Sequence, residues 1–158
     1  MRNIIKTLWV SLVMSLALTA VAQTGTTAVN DDPIAVRDTV YTLHHINQQQ
    51  FKQLVADWSA SKWSLRFGRP VVVEFGASWC IPCQELEPIL QELAQYYKGT
   101  IDFYSIDAER NADVANALKI RNIPTLLICP VGGEPQAVVG LYSRQELIRR
   151  IDQLTQTK

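Results

Sequence analysis

The chain has 158 residues, 47% of them hydrophobic, with 15 basic against 15 acidic side chains. That length suits one ordinary domain able to build its own core, and a balanced charge without a basic stripe argues against nucleic acid as a partner. Three cysteines, an odd number, argue against a small fold held together by disulfides.

Residues 1–22 read as a signal peptide rather than as part of the fold. Arg2 and Lys6 give a positive start, Leu8 to Val21 is an uncharged, mostly apolar run of 14 residues, and Ala20-Val21-Ala22 is a small-x-small site ahead of Gln23. An uncleaved anchor is the competing reading, but a membrane span needs about 20 apolar residues. No cysteine near the cleavage site offers a point for lipidation. Loss of Arg2 and Lys6 on cleavage leaves 13 basic against 15 acidic side chains. Export matters because thiols are kept reduced in the cytosol, whereas outside it a thiol pair can be driven either way. The terminal Thr155-Gln156-Thr157-Lys158 is not an ER-retention signal. The expected location is therefore periplasmic or secreted, without stable membrane insertion after cleavage.

Residues 23–38, polar and carrying Gly25, Asp31, Asp32 and Pro33, read as a flexible N-terminal arm. Thr39 to His44 is a candidate first strand. Asn47 caps a helix whose buried face is Phe51, Leu54, Val55 and Trp58. Ser59 to Pro70 is a loop or a short extra helical turn. Val71 to Phe75 is apolar apart from Glu74, the pattern of a central strand covered on both faces. A turn from Gly76 to Trp79 leads into a helix from about Cys80 to Tyr97, with Pro88 inside it as a kink point and Gly99 as its end. Ile101 to Ile106 is a strand, Asn111 caps a short helix to about Leu118, and Thr125 to Cys129 is a further strand. Gly132-Gly133 turns into a hairpin completed by Ala137 to Val139. The last helix opens on Ser143-Arg144-Gln145-Glu146, read as a capping box, and carries the stripe Leu147, Ile148, Ile151, Leu154. Strands alternating with helices and ending in a hairpin indicate an α/β layer fold with a central mixed β-sheet flanked by helices.

Cys80-Ile81-Pro82-Cys83 stands where a strand hands over to a helix. Unpaired N–H groups and the dipole at a helix start favour thiolate over thiol at the first cysteine. The thiolate is the attacking species in disulfide exchange. Cys83, one turn on, is placed to resolve the mixed disulfide, and Pro82 suits the first helical turn. A purely structural disulfide here would close a very short loop and stabilise little. Zinc would need two further ligands. Cys129 is single, and the adjacent His44 and His45 would point to opposite faces of a strand. No metal and no cofactor are therefore expected. Cys129, in an apolar strand, reads as a buried, inert thiol.

The segment Val73-Glu74-Phe75-Gly76-Ala77-Ser78-Trp79-Cys80-Ile81-Pro82-Cys83-Gln84 resembles the active-site stretch of the thioredoxin family, and Pro88 falls where that family kinks its helix. Ile120-Arg121-Asn122-Ile123-Pro124-Thr125-Leu126-Leu127, roughly 40 residues on, resembles the second family signature, and Val139-Gly140 resembles its groove glycine. The likeness runs from about Thr39 to Leu154, so residues 39–158 are read as one thioredoxin domain. It implies a thioredoxin fold and a redox-active Cys80–Cys83 disulfide, with Cys80 as nucleophile and Cys83 as resolving thiol. It implies a cis-proline at Pro124 facing the cysteines, against the alternative of an ordinary trans turn. Glu74 matches the family's buried acid, usually Asp, and would take the Cys83 proton with a raised pKa; a salt-bridged structural acid is the alternative. Trp79, Ile81, Pro82, Ile123 and Gly140 would form the substrate surface, with Ile123 offering backbone to an extended client; Trp79 could instead be core packing.

Three departures stand out against that pattern: Ile81 in place of glycine, Gln84 in place of lysine, and Phe103 in place of the lysine near the buried acid. Loss of that positive charge would make Glu74 harder to ionise. The implied function is an exported reductase of protein disulfides, acting as a monomer and recharged by a membrane electron donor. A thiol oxidant ranks second, since dedicated oxidants usually carry a large helical insertion, and a cytochrome c maturation reductase ranks lower because its relatives carry a long insertion. A non-enzymatic binding module is the reading from outside enzymology.

Overall fold

The computed structural model describes residues 41–156. The expected signal peptide, the arm and the first two residues of the expected first strand lie outside them.

Among the described residues five strands form one mixed sheet: β1 (His44–His45), β2 (Val71–Gly76), β3 (Asp102–Asp107), β4 (Thr125–Cys129) and β5 (Gln136–Val139). Four helices of the same region cover it: α1 (Gln48–Leu54), α2 (Ile81–Tyr97), α3 (Ala112–Ala117) and α4 (Arg144–Thr155). The spatial order is β1-β3-β2-β4-β5. β3 runs parallel to β1 and β2, and β4 runs antiparallel to β2 and β5.

Apolar runs in β2 and β4 follow from burial on both sides. Val71, Val73, Phe75, Leu127 and Cys129 pack with Phe51, Leu54, Tyr104, Ile106 and Val114 on the α1–α3 face. Val72, Leu126 and Ile128 pack with Leu86, Leu90, Leu93, Phe103, Leu147 and Ile151 on the α2–α4 face. Successive strand residues face opposite ways, so a strand covered twice has no polar positions to spare. Glu74 breaks that rule: it is 5% exposed and lies on the α2 side.

Several local expectations need correction. Within the described part of the expected first strand only His44 is in β1, which continues to His45: Tyr41 sits in a turn with φ 65° and the ladder to β3 begins at His44. Asn47 caps α1 as expected, and Gln50 makes the cap a full capping box: Asn47 Oδ1 accepts from Gln50 N and Gln50 Oε1 from Asn47 N. Its helix stops at Leu54, and Trp58 reaches Phe51 from the loop beyond, ring centroids 5.8 Å apart. That loop is closed by a bridge between Ala56 and Leu65 and contains no further helix. Asn111 stands at the N-cap of α3, but its side chain makes no capping bond there. Its side chain accepts from Gln48 N at 2.7 Å and donates to Asp107 O at 2.9 Å, tying the start of α1 to the end of β3. At α4 the Ser143 hydroxyl accepts from Glu146 N, but the Glu146 carboxylate turns to Arg149 and Arg150 instead of closing the box. α2 ends on Lys98, itself left-handed at φ 47°, followed by Gly99 at φ 77°. Pro88 sits inside α2, where it removes the bond an amide would make to the Gln84 carbonyl. Among the described residues no helix is long and apolar enough to cross a membrane.

Candidate active site

β2 ends at Gly76, the chain turns through Ala77–Trp79, and Cys80 is the N-cap of α2. The turn is held from three sides. Cys80 N donates to Ala77 O at 3.0 Å, Ala108 N to Gly76 O at 2.8 Å, and Gln84 Nε2 to Ser78 O at 2.7 Å. Gln84, at the family's lysine position, thus braces the loop that presents the cysteines.

Cys80 and Cys83 are bonded as a disulfide, with Cα atoms 5.3 Å apart. Cys80 Sγ accepts the Cys83 N–H at 3.3 Å, one of the orphan donors of the first helical turn. Pro82 lies in that turn and has no amide to leave unpaired. A sulfur held by helix-start donors is one on which negative charge is favoured when the bond opens.

The rim around the cysteines is apolar and open. Trp79 is 63% and Ile81 66% exposed, which rules out core packing for Trp79. The Trp79 indole N–H donates to Glu109 at 3.0 Å, so the ring lies over the β3–α3 loop. Opposite, the Ile123–Pro124 bond is cis. Antiparallel pairing of Phe75 with Thr125 brings Pro124 level with the end of β2. Gly140 N donates to Pro124 O at 2.9 Å, with φ 107° at Gly140, a conformation that favours glycine. Ile123 is half-buried beside them.

Glu74 lies beneath this surface, directly opposite Ser105 on β3. Its partner is a hydroxyl, not the cation of a salt bridge: Ser105 Oγ donates to Glu74 Oε2 at 2.5 Å. Burial pushes the Glu74 carboxyl up from its ordinary range; Ser105 and His45 draw it down, and Glu87 and Asp107 add to the rise. Phe103 lies on the same face one pair further along, opposite Val72, with its ring stacked on Tyr97 at 5.8 Å. Glu74 and Cys83 line one cavity of about 250 Å³ with Gly76, Ser105, His45 and Glu87.

Cys129 is fully buried in β4, and burial pushes its thiol up, as an inert thiol requires. His45 meets Glu87 at 3.2 Å on the α2 side of the sheet, and His44 lies 6.3 Å from the Tyr104 ring. Ser105, Gly76 and Glu109 escaped the sequence reading. A serine within the apolar run Phe103 to Ile106 and a glycine closing a β2 strand were the available signals. Nothing in the sequence pairs Glu109 with Trp79.

A mixed sheet that carries a paired-cysteine helix start at the end of β2 and a cis-proline at the start of the neighbouring β4 defines a thiol–disulfide exchange protein. The thioredoxin family profile matches residues 42–153. The chain is 38% identical over 96 residues to a thioredoxin of Borreliella burgdorferi, covering 60% of this chain and 82% of that one. It is 34% identical over 107 residues to thioredoxin 1 of a Nostoc species, covering 68% and 92%. The crystal structure of chloroplastic thioredoxin z shares the fold at a TM-score of 0.62 and 24% identity, covering 73% and 96%. The chain belongs to the thioredoxin family and is a protein thiol–disulfide oxidoreductase with a Cys80–Cys83 redox pair.

Proposed function

We propose that the protein is an exported reductase of protein disulfides. Cys80 attacks a client disulfide to form a mixed disulfide, and Cys83 resolves it. The observation that carries the reading is Cys80 at the N-cap of α2, its sulfur held by the Cys83 N–H within an exposed apolar rim. Trp79, Ile81, Pro82, Ile123, Pro124 and Gly140 are the client surface in this reading, and the Ile123 backbone is offered to an extended client strand. Glu74 takes the Cys83 proton; its raised proton affinity and shared cavity with Cys83 support that role. Export is supported by the charged start, apolar run and small-x-small site of residues 1–22. The mature monomer would be re-reduced by a membrane electron donor.

The test is Cys83→Ser of the full chain, expressed in a bacterium with an outer membrane. Clients trapped as mixed disulfides are identified by mass spectrometry, and the N-terminus of the purified protein is sequenced. Oxidised exported proteins on Cys80 and a start at Gln23 are expected. Capture of membrane oxidases or newly exported thiols alone would establish an oxidant instead, and an intact N-terminus on cytosolic protein would remove export.

A further inference from the structure

We propose that Gly76 and Ser105 are positioning residues for the second chemical step, holding the Glu74 carboxyl toward the cavity it shares with Cys83. The inference rests on the reading of Glu74 as acceptor of the Cys83 proton.

Residues two apart on a strand share a face, so Gly76 lies on the same side of β2 as Glu74. The Glu74 carboxyl turns back over it. A Cβ at Gly76 would overlap Oε1 and lie 3.0 Å from Cδ and 3.1 Å from Oε2. Gly76 has no left-handed φ, so what the glycine supplies is space. From the neighbouring strand Ser105, itself 8% exposed, donates to Oε2 at 2.5 Å. The carboxyl is thereby held at one oxygen, and Oε1 is left buried without a hydrogen-bond partner among the described residues. A buried acceptor so left is costly unless something uses it. Glu74, Gly76, Ser105 and Cys83 all line the same cavity. The charged and titratable groups on its other walls are His45 of β1, Asp107 of β3 and Glu87 of α2.

The step balances within the molecule. Once a client sulfur is bonded to Cys80, the Cys83 S–H gives its proton to the Glu74 carboxylate. The Cys83 thiolate attacks the Cys80 sulfur; the Cys80–Cys83 bond forms, the Cys80–client bond breaks, and the electron pair leaves on the client as thiolate. Two electrons pass to the client half, and the proton on Glu74 returns to solvent. A carboxyl swung away from the cavity would slow this step and leave the first attack by Cys80 untouched.

Stopped-flow mixing of the reduced protein with a chromogenic aryl disulfide separates the two steps. The first release of coloured thiolate reports attack by Cys80, the second attack by Cys83. General-base help is worth about 10²–10⁴-fold, so misplacing the base is expected to slow the second release about tenfold or more in Gly76→Ala and in Ser105→Ala, with the first unchanged. Ser105→Ala should also move the midpoint of the second release to higher pH, because the hydroxyl that favours the ionised carboxyl is gone. Ser105→Thr keeps a donor and suits a strand, so it should restore both rate and midpoint. If Glu74→Gln slows the second release while Gly76→Ala and Ser105→Ala change neither rate nor midpoint, the positioning inference fails and the reading of Glu74 stands. If Glu74→Gln itself leaves the second release unchanged, the reading of Glu74 fails and takes the inference with it. Equal slowing of both releases would also overturn the inference, since it would place the effect on the whole site.

Discussion

Cys83 and Cys129 are both buried, 6% and 0% exposed, yet they sit in opposite chemical settings. Cys129 closes β4, packed among Val71, Val73 and Leu127, and its thiol donates to the Leu127 carbonyl at 3.8 Å. Burial alone acts on it, and burial disfavours the thiolate. Cys83 occupies the first turn of α2, is bonded to Cys80, and borders a cavity that also holds a carboxyl group. Depth does not decide whether a sulfur is chemically usable. Access to helix-start donors and to a group that can exchange a proton does.

Substitution at each end breaks the contrast in a graded way. Cys80→Ser should remove insulin reduction by several orders of magnitude, down to the uncatalysed rate, because the attacking sulfur is lost. Phe51→Ala empties the core between α1 and the sheet, where the ring meets Phe75, Trp58 and Trp63 at 5.8–6.5 Å. Urea unfolding should show a loss of about 3–5 kcal/mol.

Glu74→Gln sharpens the comparison through pH. The folded carboxyl holds its proton to higher pH than the unfolded one, since burial dominates its environment. The folded state therefore binds more protons in the window between the two, and stability falls as pH rises through it. Thermal melts across that window should show the wild type losing stability toward neutral pH and Glu74→Gln losing less. Equal slopes would mean that the carboxyl is not held in its buried state.

Cys129→Ala should lower stability by about 1 kcal/mol with reduction of insulin unchanged. The smallest expected effect belongs to Ile81→Ala. An exposed side chain outside the core should shift stability by no more than about 0.5 kcal/mol. If Ile81 belongs to the client surface, the change raises KM for a protein disulfide and leaves the rate with a small aryl disulfide alone.

Much of the molecule was legible along the chain because it rests on local rules. The apolar run at Val71 to Phe75, the cysteine pair at a strand-to-helix junction, Asn47 as a helix cap, and the signature around Pro124 each carry their meaning within a few residues. The failures lie where a side chain had two possible partners. Asn111 has the residue type of a cap but bonds across to Gln48, and Glu146 has the spacing of a capping box but turns to two arginines further along its helix. Trp79 is not one of these failures: the sequence reads it as exposed surface with core packing as the alternative, and the path of the turn and the Glu109 carboxylate put it in solvent.

By itself the sequence determined the order of strands and helices, the reactive pair and the presence of an acid in a covered strand, since periodicity and chain neighbourhood encode these. The tertiary structure alone decided what that acid meets. Register sets Glu74 opposite Ser105, on the same face as Gly76 and beside the cavity of Cys83, although 31 residues separate Glu74 from Ser105 along the chain. Strand pairing across such a distance is settled by burial of both sheet faces together, a property that no local segment carries.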